Sequence, residues 1–350
     1  MSIINLRQLA PAYGLAPAVS NAFKIIPCKG TFTDYLIARS KRRNEMKNIR
    51  TDMASELRDE YMKTYAKQHD GEPDGIKYET SESCGIKTTK ISVFNENGEK
   101  ILGKPIGNYY SMHTGKLWLS DFDKFKCAAN ELVKIISSLC DVHSPVLVAG
   151  LGNRYITADA IGPLAVHNVV VSRHIKEYER SIYDSAHLGD ISALTPGVIA
   201  QTGIEAAEQI KGAVKMVKPS TVILIDALAC RNLSSLAQTV QITDTGICPG
   251  SGVGNDRGEL SEKIFGVKTV CIGIPTVIDT RTLVRDALEN CANMSEDTVD
   301  SVINCAYKDK GSYVCPKDCD VAVDEMARLA GYAVSKAFHR SLSYEEMMYM

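Results

Sequence analysis

Between residues 145 and 290 the chain switches regularly between two hydrophobic spacings. Val146 to Ala149, Ile191 to Leu194, Thr221 to Ile225, Val240 to Ile242 and Lys268 to Ile274 are short apolar runs. Runs of this kind mark strands covered on both faces. Between them lie segments whose apolar residues recur three and four apart, the spacing of one helix face. Asp159 to Ile175 and Thr202 to Val217 are two such segments, the second aligning Ile204, Ala207, Ile210, Val214 and Val217. Thr280 to Asn290 is a third. The alternation predicts an α/β fold: a mostly parallel sheet flanked by helices.

Upstream, Met53, Leu57, Tyr61 and Tyr65 stand four apart and predict a helix over residues 52–68. Lys87 to Phe94 and Ile101 to His113 carry β-branched Thr88, Ile91 and Val93, with the turn dipeptide Asn97-Gly98 between them. They predict a small antiparallel β subdomain inserted at about residues 87–118. Asp121 to Cys140 reads as a helix capped by Asp121, with Phe125, Leu132, Ile135 and Leu139 as its apolar stripe, and Asp318 to His339 as another. Residues 1–50 show no sustained period, and Met46, just before the first patterned segment, is a candidate start of its own. The organisation expected is an N-terminal extension over residues 1–52 and one α/β domain over 53–350.

Composition agrees with that picture. A chain of 350 residues with 45% hydrophobic content can bury one large core. A net charge of −2 supplies no long-range field for nucleic acid or an anionic membrane. The one basic stretch, Arg39 to Arg50, reads as a solvated linker. Eleven cysteines without regular spacing, among them Cys127, Cys140, Cys230 and Cys271 inside apolar runs, suit buried thiols in a reducing cytoplasm. Cys305, Cys315 and Cys319 are too loosely spaced, with no histidine near, to make a convincing zinc set. No run approaches the ~18 apolar residues of a membrane span. Pro11 and Pro17 interrupt the apolar stretch at the N-terminus.

In an open α/β sheet, ligands gather beyond the carboxyl ends of the strands. Four aspartates follow predicted strands: Asp159, Asp226, Asp244 and Asp279. Asp159 lies in a segment running from Gly150-Leu151-Gly152-Asn153 to Gly162-Pro163, which opens like a dinucleotide fingerprint but has Tyr155 in the third glycine place. Thr157 as a helix cap with Asp159 complementing the helix dipole is one reading of it. Asp226 ends a buried run, where a carboxylate is costly unless paired. A cap is again one reading; a pair with Asp159 across neighbouring strand ends is the other. Two close carboxylates share a proton, so one can activate water while the other protonates a leaving amine. The loop after Asp244 holds Gly246, Gly250, Ser251, Gly252, Gly254 and Asn255. It is a flexible turn, or a place where backbone N–H groups converge on a substrate carbonyl or carboxylate. No Gly-x-Ser-x-Gly elbow occurs, and Ser251 has no histidine nearby in sequence.

Three segments together resemble the spore germination protease family: Gly150 to Pro163, Thr195-Pro196-Gly197 through Glu205, and Ile225-Asp226 through Asn255 to Gly273-Ile274-Pro275. The resemblance spans about residues 48–290. It implies an endopeptidase that starts the degradation of small acid-soluble spore proteins, with a fold akin to hydrogenase maturation proteases. It places the essential aspartates on Asp159 and Asp226. It further implies a zymogen made in the forespore, removal of an N-terminal prosegment by self-cleavage, a homotetramer, and no cofactor. Thr51-Asp52-Met53-Ala54-Ser55-Glu56 resembles the Thr-Glu-Phe-Ala-Ser-Glu site cut in the family's substrates, which implies cleavage between Asp52 and Met53. An ordinary helix start with Thr51 as N-cap is compatible with the same residues.

Two features depart from the family pattern. The extension before Arg50 is longer, and Cys248 stands where a histidine is expected. Two other readings stay open. In one, Asp159 and Asp226 ligate a metal, with Cys248 or a histidine as third ligand. In the other, the chain binds spore proteins without cutting them.

Overall fold

Nine strands pair into one sheet among the described residues of the computed structural model: 51–67, 69, 71–250, 258–291, 294, 296–306, 312–339 and 341–347. All of these residues belong to the compact unit 49–350. The strands are β1 (Ile76–Ser83), β2 (Ile86–Val93), β3 (Gly107–His113), β4 (Val146–Gly150), β5 (Ile191–Leu194), β6 (Thr221–Cys230), β7 (Thr239–Thr243), β8 (Lys268–Asp279) and β9 (Tyr313–Val314). Their order is β1-β2-β3-β7-β8-β6-β4-β5, with β9 on the far end of β8. The pairs β5–β4, β4–β6 and β6–β8 are parallel, forming the expected core. The pairs β8–β7, β7–β3, β3–β2 and β2–β1 are antiparallel.

Helices cover both faces. One face packs α3 (Phe122–Leu139), α4 (Ile161–His167) and α7 (Cys319–Phe338) over Val146, Val148, Ile223, Ile225, Val270 and Ile272. α7 is buried along most of its length because Ala322, Ala327, Ala330 and Ala333 let it approach closely. The other face carries α5 (Ala206–Val217) over Leu147, Ala149, Val222 and Leu224. It also carries α1 (Ala54–Tyr65), which places Ala54 among Ile76, Ile91, Val93 and Tyr109. α2 (Glu96–Leu102) and α6 (Thr280–Cys291) complete the layers used below.

The structure corrects several local expectations. Asn97-Gly98 is not a hairpin turn but lies in α2, whose N-cap Asn95 accepts from the backbone N–H of both residues at 2.9 and 3.0 Å. The hairpin is instead β1–β2, turning at Cys84 and Gly85, both at positive φ. The antiparallel strands are present as expected, and they join the main sheet through the pairing of β3 with β7. The segment from Asp159 to Ile175 is not one helix: a 3-10 turn (Thr157–Asp159), α4 and a short helix (Arg173–Tyr178) share it. Asp226 does not follow β6 but lies inside it, because β6 stays paired to β8 past the end of β4. β7 runs against β8, so Asp244 leaves the sheet at the opposite end from the tips of the parallel strands. There it accepts from the backbone N–H and side chain of Asn108 at 2.7 and 2.9 Å, joining β7 to β3. Asp279 is the last residue of β8 and accepts from the N–H of Arg281 at 2.8 Å, at the start of α6.

Candidate active site

The chain leaves β4 through Leu151-Gly152-Asn153 and folds back as the turn that carries Asp159. Gly152 has φ +110, and a Cβ there would lie 2.1 Å from the Asp159 carbonyl oxygen, so only glycine allows the return. The half-buried Asp159 carboxylate accepts from the Asn153 N–H at 2.8 Å. The Thr276 hydroxyl of β8 donates to the Ala158 carbonyl at 2.5 Å. The turn thereby packs against both β6 and β8. Gly162, at the start of α4, lets this assembly close: a Cβ would lie 2.2 Å from the Leu151 carbonyl oxygen and 2.5 Å from that of Ile225.

Asp226 is 5% exposed and accepts from the N–H of Ala227 at 2.9 Å. It faces the same side of β6 as Leu224 and Leu228, the side covered by α1 and α5. Cys271 on β8 lies near it. Burial drives that thiol far above its ordinary range, and the charges of Asp226 and Cys248 add to the effect. Cys248 is therefore within electrostatic reach of the same corner.

Register places a row of polar positions across this face. Thr89 pairs Ser111, Ser111 pairs Gln241, Gln241 pairs Gly273, and Gly273 pairs Asp226. Directly paired residues project to the same side of a sheet. Gly273 stands between Gln241 and Asp226, which are two strand spacings apart, about 10 Å, and the Leu228 side chain packs over it.

Residues 51–56 lie across this row. Asp52 bridges β6 beyond Asp226: its N–H donates to the Ala229 carbonyl, and its carboxylate accepts from the Ala229 N–H, both at 2.9 Å. The Asp52 carbonyl accepts from Gln241 Nε2 at 3.0 Å, while Gln241 Oε1 accepts from the Ala54 N–H at 2.7 Å. Met53 is fully buried among Leu228, Cys230, Leu236 and Ile278. Ser55 accepts from the Ser111 hydroxyl at 3.1 Å. Glu56 is 3% exposed, and its carboxylate accepts from the N–H groups of Arg231 and Asn232 and the hydroxyls of Ser235 and Thr51. Thr51 is not the N-cap of α1, a position held by Met53. Its hydroxyl instead accepts from the Met53 N–H at 3.1 Å.

Of the glycine-rich loop, Gly250 sits at φ +76, and Ser251, Gly252, Gly254 and Asn255 lie outside the described residues. No group of three or more His, Cys, Asp or Glu side chains arranged to hold a metal occurs among the described residues. Sequence reasoning passed over Gln241, Ala229 and the Glu56 cradle. The signal for the first was present: a glutamine between Val240 and Ile242 puts a polar amide in a buried strand, where it needs two partners.

Comparison with known proteins gives this site its context. The family model described as germination protease matches residues 51–295. A germination protease of Caldanaerobacter subterraneus subsp. tengcongensis is 38% identical over 85% of this chain and 97% of its own length. One from Clostridium tetani is 33% identical over 86% of this chain and 98% of its own. One from Oceanobacillus iheyensis is 38% identical over 69% of this chain and 67% of its own. Among solved structures, a NiFe hydrogenase maturation protease from Thermococcus kodakarensis aligns over 59% of this chain and 98% of its own, at 17% identity and a TM-score of 0.33. The family match begins at Thr51, the first residue of the segment seated on β6, and runs through both Asp159 and Asp226. The chain belongs to the germination protease family and is a peptidase.

Proposed function

We propose that this peptidase cuts small acid-soluble proteins of the spore, and first cuts itself between Asp52 and Met53, with Asp159 and Asp226 as the catalytic pair. The reading rests above all on one observation: the Asp52–Met53 segment is seated on β6, the strand that carries Asp226. The turn bearing Asp159 packs against that same strand. Residues 1–52 are then a prosegment, and the chain acts as a homotetramer in the forespore and spore core, without a cofactor.

The chemistry follows from two carboxylates that hold one proton between them. The ionised member takes a proton from water, and the hydroxide adds to the Asp52 carbonyl carbon. The protonated member then gives its proton to the Met53 nitrogen as the carbon–nitrogen bond breaks. The products are a carboxylate at Asp52 and a new amino terminus at Met53. The glycine-rich loop with Gly250, Ser251, Gly252, Gly254 and Asn255 serves in this reading as a backbone donor surface for the peptide.

Mass spectrometry of the full chain after mild acidification tests the scheme. The wild type yields a chain beginning at Met53, whereas Asp159→Asn and Asp226→Asn stay whole and keep the wild-type unfolding temperature within a few degrees. The rate loss expected for each is at least about 1,000-fold. A folded Asp226→Asn protein that processes itself at the wild-type rate ends the proposal. Loss of activity on exhaustive chelation would transfer the two aspartates to metal ligation.

A further inference from the structure

Gln241 brackets Met53, holding one group of each of the two peptide bonds that flank it. Its Nε2 donates to the carbonyl of Asp52 at 3.0 Å, and its Oε1 accepts from the N–H of Ala54 at 2.7 Å. Only one orientation of the amide satisfies both partners, because the carbonyl can only accept and the N–H can only donate. The side chain is 6% exposed, so these bonds form away from competing water. Gln241 also shares a transverse row of the sheet with Asp226, separated from it by Gly273. A Cβ at Gly273 would lie 2.3 Å from a methyl carbon of Leu228, so this glycine gives the Leu228 side chain its place in the row between the amide and the carboxylate.

We propose that Gln241 is a catalytic residue that grips the carbonyl of the bond to be cut and donates to its oxygen as negative charge develops there. The proposal rests on cleavage between Asp52 and Met53 and deepens that reading by naming the group that polarises the carbonyl. Hydroxide addition turns the Asp52 carbonyl oxygen into an oxyanion, and a donor already at 3.0 Å needs no reorganisation to stabilise it. The bond from Oε1 to the Ala54 N–H fixes the amide so that its donor cannot rotate away. The same clamp serves any substrate segment seated as residues 52–54 are, because both of its partners are backbone groups common to every peptide.

Self-cleavage of the full chain is the test, with Gln241→Met as the main variant. Methionine keeps the length and apolar stem of the side chain and removes the donor. The first-order rate of release of the Met53 amino terminus, read by mass spectrometry, falls by about 100-fold, the loss typical of one oxyanion donor. Tyr344→Phe is the control: it removes a hydrogen bond to Asn130 on the opposite face of the sheet, away from the peptide. Its rate stays at the wild-type value. If Gln241→Met does not fold, Gln241→Asn replaces it, since a side chain one methylene shorter withdraws the same donor. A Gln241 variant that cleaves as fast as wild type or faster overturns the proposal, as does a Tyr344→Phe loss equal to it. An uncut wild-type chain overturns the proposal together with the proposed cleavage site, whereas a cut wild type with an unaffected Gln241 variant removes the proposal alone.

Discussion

Each oxygen of the Glu56 carboxylate receives two donors, which makes the side chain hard to replace even by its own amide. Oε2 accepts from the Arg231 N–H at 2.7 Å and the Thr51 hydroxyl at 2.6 Å, and Oε1 from the Asn232 N–H at 3.0 Å and the Ser235 hydroxyl at 2.9 Å. A glutamine would turn its NH2 toward one of these pairs. The hydroxyl could rotate to accept, but the backbone N–H could not, and it would be left buried and unmet. Glu56→Gln is therefore expected to lower stability by about 2–3 kcal/mol in urea unfolding, the cost of one unsatisfied buried donor. A variant as stable as wild type would mean that water reaches the cradle. Arg231, whose N–H helps to hold Glu56, binds the carboxylates of Glu60 in α1 and Asp286 in α6 through its guanidinium. A single residue thus joins the helix after the candidate cut, through Glu56 and Glu60, to the helix that follows β8. Gln241 and Glu56 were not singled out from the sequence because hydrophobic pattern reports where a residue is buried, and only register shows which backbone groups it meets there.

At the scale of elements, Gly162 decides how closely α4 lies against β4 and β6. Alanine there would push its Cβ against the carbonyl oxygens of Leu151 and Ile225, which are backbone atoms and cannot swing aside. α4 would have to move, and the Asp159 turn that leads into it would move too. Gly162→Ala is expected to cost about 2–3 kcal/mol by thermal unfolding, as overpacking does. Self-cleavage would slow by about 100-fold, as when a reacting group shifts by an ångström. Wild-type stability together with wild-type processing would show that the approach is looser than the geometry implies. The parallel strands β4, β5, β6 and β8 were legible because runs such as Val222-Ile223-Leu224-Ile225 are apolar on both faces. The direction of β7 was not, since period and burial are the same whichever way a strand points. β1 escaped notice because most of its residues are exposed and polar, and its partner β2 supplies the apolar face. Asn97-Gly98 misled because a turn dipeptide is a local preference, which the Asn95 cap and the packing of Gly98 against Gly75 override.

The end of α7 ties two chain segments beside the parallel core together through a histidine that must stay neutral. His339 is fully buried; its Nδ1 accepts from the Gly189 N–H at 3.0 Å, and its Nε2 lies 2.7 Å from the Val170 carbonyl, to which it donates. Ser335, one turn earlier, accepts from the Val170 N–H at 3.0 Å and anchors the same segment. A second proton on the ring would set Nδ1–H against the Gly189 N–H. Burial accordingly lowers the His339 pKa below the ordinary value of 6.5, an effect only partly offset by the bond to Val170. His113 on β3 is lowered in the same direction, first by burial and then by Lys124 and Lys87. For both residues the unfolded chain binds the proton more readily than the folded one. Stability therefore rises with pH through this range and is lost as pH falls from the unfolded value, about 6.5, toward the lower folded values. The urea midpoint of the wild type is expected to drop between pH 7.5 and pH 5.5. In His339→Gln the slope of that drop should be shallower, with the remainder belonging to His113 and to carboxylates that titrate lower. A variant that kept the full wild-type slope would show that this junction does not set the acid sensitivity of the molecule. A shallower slope would locate that sensitivity in the packing of α7, on the face opposite the candidate peptide track, so that folding and peptide cleavage could be titrated apart.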